Sequence, residues 1–310
     1  MQIYDNIQDF DCKNPVVTIG VFDGVHKGHI KILNHLKELA KKVNGESVIL
    51  TFWPHPKTVM QKKAKVVPLL STLDEKKKLI EDIGIEHLII LPFTHEFSML
   101  SYEEFIRDIL FKGIKTKYLV IGHNHQFGKG RAGNFDKLNK FSKDLGFNIV
   151  KLEAQVIDDE QVSSTKIRKA LKKGRLDIAN KFLGYEYFFS GKVIKGFKLG
   201  RDIGFPTANI ELLNPEKIIP KGGVYAVRVK FENYIYFGMM NIGFKPTVNN
   251  QVDLKSIEVH IFKIDKDLYG KELIIFINKK IREEIKFQNI EKLKNQLKID
   301  KNEVKKIFYI

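Results

Sequence analysis

The 310-residue chain holds a single cysteine, Cys12, and a single tryptophan, Trp53. With one cysteine no intrachain disulfide can form and no thiolate cluster can hold a metal, a usage that fits a reducing compartment, the cytoplasm. Long hydrophobic runs are missing too: nothing approaches the ~18 apolar residues of a membrane span. The opening stretch, MQIYDNIQDFDCK, carries mixed charge and no apolar segment, so it does not read as a signal peptide. Negative charge is scarce relative to positive, 37 acidic residues against 53 Lys and Arg, a formal net charge of +16. That excess suits anionic partners, yet the lysines are dispersed rather than gathered in one basic arm, and lysine is abundant throughout. Charge alone therefore identifies no partner.

What the chain does have is a strand, a glycine turn and a helix in close succession near its start. Val16, Val17, Ile19 and Val21 read as a buried parallel strand. The pattern breaks at Gly20, Asp23 and Gly24 and resumes at helical period through Ile30, Leu33, Leu36 and Leu39. This arrangement aims backbone N–H groups and a helix N-terminus at an anion. His26 and His29 fall at that helix mouth, and a polyphosphate is the natural guest. Further strands are expected at Val48–Phe52, His87–Leu91, Tyr118–Ile121 and Asn148–Leu152. Helices are expected at Leu73–Ile83, capped by Ser71 or Thr72, at Tyr102–Phe111, capped by Ser101 with Glu104, and at Phe135–Leu145. Alternating strand and helix predict a doubly wound parallel sheet. Two loops leave the ends of its strands: WPHP, which holds Trp53 and His55, and the glycine loop Gly122–Gly133. The histidines 26, 29, 123 and 125 lack HExxH or Cys/His spacing, so zinc is not expected there. VSSTKIR follows, with Ser164, Thr165 and Arg168 at a helix start suited to phosphate, and then a short helix, Leu176–Leu183.

From Tyr185 the texture changes to short strands with turn signals, expected at Gly191–Ile194, Gly223–Lys230, Tyr234–Asn241, Ser256–Phe262 and Leu273–Ile277. That is the pattern of an antiparallel barrel, closed at one end by a helix near Ile290–Leu297. The boundary falls near residue 185, giving domains 1–184 and 185–310. In GFKLGRDIGFPTANI the glycines allow close approach of a ligand, and Thr207 and Asn209 place two neutral oxygens on one strand face, a donor set suited to Mg²⁺. In SIEVHIF, Glu258 alternates with apolar Ile257 and Val259. It is either a solvated strand residue or, beside Thr207 and Asn209, a general base toward a hydroxyl.

These motifs, in this order, closely resemble one family. GVFDGVHKGH, TFWPHP, the glycine loop and VSSTKIR are similar to the FMN adenylyltransferase module of prokaryotic bifunctional FAD synthetases. GRDIGFPTANI, KGGVYAV, NIGFKPT, IEVHIF and DLYGKEL are similar to its riboflavin kinase module. The resemblance runs from about Thr18 to Leu297. It implies a nucleotidyltransferase domain of the HxGH type followed by a six-stranded barrel. It also implies two reactions: riboflavin and ATP give FMN and ADP, then FMN and ATP give FAD and pyrophosphate. In the first domain it implies that His26 and His29 contact the ATP phosphates. The turn Gly20–Gly24, with Phe22 and Asp23, would admit the nucleotide, and Ser164, Thr165 and the catalytic Arg168 would hold phosphates. Asn124, Phe127 and the His55 loop would line the flavin side. In the second domain Gly200 and Arg201 would cover the nucleotide, Thr207 and Asn209 would hold Mg²⁺ with ATP, and Glu258 would activate the riboflavin hydroxyl.

The chain departs from the family pattern at Trp53, where an acidic residue is frequent, and at Asn124 and His125, where Asp and Phe are common. A kinase with a weakened adenylyltransferase is therefore one alternative, and a basic nucleic-acid-binding regulator on the same fold is another. The expected partners are small molecules (ATP, riboflavin, FMN), without nucleic acid or membrane, for a cytoplasmic monomer or weak homo-oligomer.

Overall fold

The computed structural model describes residues 1–60, 67–123, 125–196, 199–245 and 254–310. The chain divides into two compact units, Met1–Ser164 and Thr165–Ile310. The helix Ser164–Lys172 starts at that division, and it and the helix Leu176–Leu183 group with the barrel.

The first unit is built on six strands: β1 (Gln2–Tyr4), β2 (Val16–Ile19), β3 (Ser47–Trp53), β4 (His87–Pro92), β5 (Tyr118–Gly122) and β6 (Asn148–Leu152). Every pairing is parallel and the order is β1-β4-β3-β2-β5-β6. Alternation along the strands sorts the core into two layers. Val17, Ile19, Leu50, Leu119 and Ile121 pack on one face with Phe105, Ile106 and Leu110. Val16, Ile49, Leu88 and Val120 pack on the other with Leu33, Leu36 and Ile80. The doubly wound sheet is thus present, and its direction of winding reverses between β2 and β5. In open α/β sheets ligands gather outside the carboxyl ends of strands at such a reversal. The Gly20–Gly24 turn and the loop from Gly122 both leave the sheet there.

Three expected helices have the expected bounds, Leu73–Ile83, Phe135–Leu145 and Leu176–Leu183. Thr72 is the cap of the first, in a reciprocal capping box with Glu75. The segment after Ser101 departs from ordinary helix: one turn, Tyr102–Glu104, widens into a π-helix over Phe105–Gly113. Buried Ile106, Leu110 and Ile114 recur every four residues. That repeat exceeds 3.6 residues per turn, and the wider ladder keeps the row facing the sheet.

The second unit is a closed antiparallel barrel of six strands in the order β10-β13-β12-β11-β14-β9. A two-stranded hairpin of β7 (Val156–Ile157) and β8 (Glu160–Gln161) precedes it in the chain. The barrel strands are β9 (Tyr187–Ile194), β10 (Ala208–Leu212), β11 (Gly223–Phe231), β12 (Tyr234–Lys245), β13 (Leu254–Ile261) and β14 (Glu272–Arg282). The terminal helix runs over Ile290–Phe308, well past Leu297, and it lies against the barrel's outer wall instead of closing an end. Its Leu293, Leu297 and Val304 pack on Ala226 and Met239, which alternate with the inward-facing Tyr225 and Met240. The extension is bolted by one ion pair. Asp300 is 1% exposed and receives hydrogen bonds from Arg282 Nε at 2.9 Å and Nη2 at 2.7 Å, with Gln296 Nε2 at 2.9 Å.

Removing one partner of a buried pair leaves the other charge uncompensated, at a cost of about 3 kcal/mol or more. Asp300→Asn should therefore lower the stability of the barrel unit by about that much, measured by urea unfolding. A loss within the scatter of surface substitutions would show that the pair does not hold the helix.

Candidate functional site

The first site is organised by a strained turn. Phe22, Gly24 and Val25 all have positive φ (49°, 80° and 32°), a conformation that costs a non-glycine residue of order 1–3 kcal/mol. Buried hydrogen bonds hold it. The Asp23 carboxylate, 3% exposed, accepts from the N–H groups of Leu70 and Ser71, each at 3.0 Å. The Gly24 N–H donates to Ser71 Oγ at 2.9 Å, and Ser164 Oγ donates to the Asp23 carbonyl at 3.1 Å. The turn therefore delivers the chain to the helix Lys27–Lys42 in one fixed orientation, with His26 as the N-cap.

The two histidines act as a unit. Their rings stack at 3.6 Å between centroids, inclined by 13°, and Phe22 lies edge-on to His29 at 5.1 Å. His26 Nδ1 accepts the His29 backbone N–H at 3.3 Å, an orphan donor of the helix start. Burial pushes the His29 imidazole well below its ordinary range, helped by the charges of His26 and Lys76. His29 is thus neutral at neutral pH, and its Nδ1 is buried without a partner among the described residues.

Lys76 is the residue of this region that sequence reading passes over. It stands in the run Lys76–Lys78, which reads as a solvated face, and Lys77 and Lys78 do pair there with Asp74, Glu81 and Asp82. Lys76 is instead 1% exposed, with Nζ 5.5 Å from the centre of the Trp53 ring. Burial lowers its pKa to about 8, opposed by the charge of Asp23. Its spacing from Leu73, Ile80 and Ile83 is the signal that could have found it, since all four share one helix face. A buried cation beside a helix N-terminus adds to the same attraction for an anion.

The remaining expected residues of this unit are placed as follows. His55 is buried and its Nδ1 accepts the Lys57 N–H at 3.1 Å. Phe127 is 8% exposed and packs against Phe105 in the core, with His125 stacked on it at 5.7 Å. Asn124 lies outside the described residues. Ser164 belongs to the first unit, and Thr165 and Arg168 to the second. His123 is paired with Glu153 at 3.5 Å. Among the described residues, the cluster with metal-ligating spacing is Cys12, Glu46 and His87, where His87 Nε2 already meets Glu46 at 2.6 Å.

The barrel carries the second site on its outer wall. Glu258 lies opposite Asn209 of β10 on one side and Asn241 of β12 on the other. Thr207 Oγ1 donates to Glu258 Oε2 at 3.4 Å. A side chain at Gly196 would run into the Asn209 amide, so glycine there lets the preceding loop close on the strand. Gly200 accepts the Phe205 N–H at 2.8 Å, folding the loop back beside Thr207. Two recesses meet at Thr207. One, of about 240 Å³, includes Phe205, Met239, Glu258 and His260; the other, of about 570 Å³, includes Arg201, Asp265, Lys266 and Tyr269. Alternation thus places Glu258 away from the barrel core, as its apolar neighbours imply. His260, two residues on and on the same face, is missed by sequence reading because a lone histidine in an apolar strand reads as packing.

The coupling of Lys76 to His29 gives a test on the first site. Lys76→Met keeps the packing and removes the charge, so the His29 imidazole should titrate at higher pH while staying below its ordinary value, because burial persists. Imidazole proton shifts followed against pH report this; an unmoved His29 would contradict the coupling.

The comparisons with known proteins match the two parts of the chain separately. Residues 9–166 match the family model of FAD synthetase, and residues 183–308 that of riboflavin kinase. A bifunctional riboflavin kinase/FMN adenylyltransferase of Buchnera aphidicola (from Acyrthosiphon pisum) is 37% identical over 306 residues, covering 98% of this chain and 96% of the relative. The Escherichia coli K12 protein of the same name is 35% identical, covering 94% and 92%. A Streptococcus pneumoniae crystal structure described as a macrolide-efflux protein superposes with a TM-score of 0.88 at 28% identity over 97% of both chains. No helix among the described residues of this chain is long and apolar enough to cross a membrane. With both family models matched in order and near-full-length identity above one third, the chain belongs to the bifunctional riboflavin kinase/FMN adenylyltransferase family.

Proposed function

We propose that the barrel phosphorylates riboflavin with ATP to FMN, and that the parallel-sheet unit joins FMN to the adenylyl group of a second ATP, giving FAD and pyrophosphate. The meeting of two recesses at Thr207, with Glu258 in one and Arg201 in the other, carries the kinase reading. The first recess, lined by Phe205 and Met239, suits a flat apolar ring, and the second, with Arg201 and Lys266, suits phosphates. Glu258 accepts the proton of the riboflavin 5′-hydroxyl as its oxygen attacks the γ-phosphorus, and the bond to ADP breaks. Thr207 and Asn209 are the Mg²⁺ residues of this proposal. Their neutral oxygens beside the Glu258 carboxylate form a hard donor set that fits the ion, whose charge would offset that of the phosphates.

In the adenylyl site a phosphate oxygen of FMN attacks the α-phosphorus of ATP, and pyrophosphate leaves. No covalent enzyme intermediate is required, so positioning and charge stabilisation supply the rate. The Gly20–Gly24 turn and the start of the histidine helix bind phosphate through backbone N–H groups. Neutral His29 contributes an N–H, while His26 orients it by stacking. Thr165 and Arg168 follow Ser164 on its helix and are proposed as phosphate ligands by the same motif. The His55 loop, Asn124 and Phe127 are assigned to the flavin side. The catalytic division proposed is 1–184 and 185–310. The enzyme of this proposal acts in the cytoplasm, a reading that the lone cysteine supports, on small molecules, as a monomer or weak homo-oligomer without nucleic acid or membrane partners.

Incubation of the purified protein with riboflavin, ATP and Mg²⁺, followed by chromatography of the flavins, should show FMN and then FAD. Product stopping at FMN would overturn the adenylyltransferase half. Glu258→Gln should reduce FMN formation by about 100-fold or more, the scale of a lost general base. The conversion of supplied FMN to FAD should continue; loss of both would defeat the two-site assignment.

A further inference from the structure

His260 is 6% exposed and faces the recess that holds Glu258, with both nitrogens in definite states. Nδ1 lies 2.7 Å from the Pro206 carbonyl, an acceptor, so Nδ1 carries a proton and donates it. Burial lowers the pKa of the ring, opposed by the hydrogen bond to the Pro206 carbonyl and helped by the charge of Lys301, so the neutral imidazole is favoured. Nε2 is then a bare lone pair. It is buried and has no hydrogen-bond partner among the described residues. Phe205 and Phe262 stand edge-on to the ring at 5.4 Å each and fix its plane. An unsatisfied buried acceptor costs on the order of 1–3 kcal/mol, and on a residue that lines a recess it is relieved when a ligand there supplies a donor.

The geometry points to a subsite for the polyol chain of the flavin: His260 Nε2 accepts a hydrogen bond from an inner ribityl hydroxyl of riboflavin. This rests on the kinase reading above. Side chains two apart on one strand face are separated by roughly 7 Å. With the 5′-hydroxyl at Glu258, the partner of His260 is a hydroxyl two or three carbons further in, at the 2′ or 3′ position. The ring N–H of the flavin lies beyond that reach. His260 has a second, positioning role through its other nitrogen. The Nδ1–H bond fixes Pro206, and so the adjacent Thr207, against the same strand as Glu258.

The two roles separate by substitution, because an asparagine amide can replace the Nδ1 donor and a glutamine amide the Nε2 acceptor. His260→Asn keeps the tether to Pro206 and loses the acceptor; its KM for riboflavin should rise about 3- to 10-fold, one neutral hydrogen bond, with kcat near wild type. His260→Gln keeps the acceptor and loses the tether; its kcat should fall while the riboflavin KM changes little. The conversion of FMN to FAD by the same preparations should be unaffected. A riboflavin KM unchanged in His260→Asn would overturn the subsite. The wild-type protein provides a measurement independent of variant folding. Riboflavin analogues lacking the 2′- or the 3′-hydroxyl should bind more weakly, one of them by the same factor as His260→Asn, and the two losses should not add. Full additivity, or no loss with either analogue, would contradict the proposal. Failure of the wild type to make FMN from riboflavin would instead remove the kinase reading itself.

Discussion

The Asp23 carboxylate is the constraint on which the first unit depends. It is buried, and in place of solvent it has the backbone N–H groups of Leu70 and Ser71. Those bonds hold a turn in which two non-glycine residues adopt left-handed conformations. Such strain persists only where the surroundings over-determine it, and it tends to mark sites of function. Everything at the helix mouth follows from that turn: the cap by His26, the stacked pair, and the burial that keeps His29 neutral. Asp23 acts there by shaping the backbone that would meet the phosphates.

The barrel solves a similar problem with different means. Its candidate charge-handling groups stand on the outer wall, in cross-strand register, where Glu258 faces Asn209 and Asn241. The wall is covered by the 199–207 segment and by the terminal helix, which together make a recess out of an exposed sheet face. The Arg282–Asp300 pair therefore serves the site as well as stability, since Arg282 lines the recess and Asp300 anchors the helix that closes over it.

Much of this was legible in the sequence. Apolar runs located five strands of the parallel sheet and alternation five of the barrel, period 3.6 gave three helices their bounds, and the glycine-histidine and PTAN stretches pointed to the two candidate sites. What was not legible depends on tertiary partners. Strand β1 is three residues with little burial, and it exists because β4 offers it an edge. The terminal helix outruns its apolar stretch because Asp300, polar in sequence, is buried against Arg282. Lys76 looks like its solvated neighbours until Ile80 and Leu73 turn it inward. His260 differs from a packing histidine only in having an acceptor nitrogen left over, which no sequence pattern records.

The central claim is that one chain holds two separate phosphate-centred sites linked by a common flavin. Mixing a Glu258→Gln chain with a His29→Ala chain, and supplying riboflavin, ATP and Mg²⁺, tests it most directly. Each variant retains one intact site, so the mixture should convert riboflavin to FAD through FMN released into solution, far faster than either variant alone. FAD made from riboflavin by either variant alone at the rate of the mixture, or a mixture that makes none while each variant performs its own half-reaction, would contradict the account.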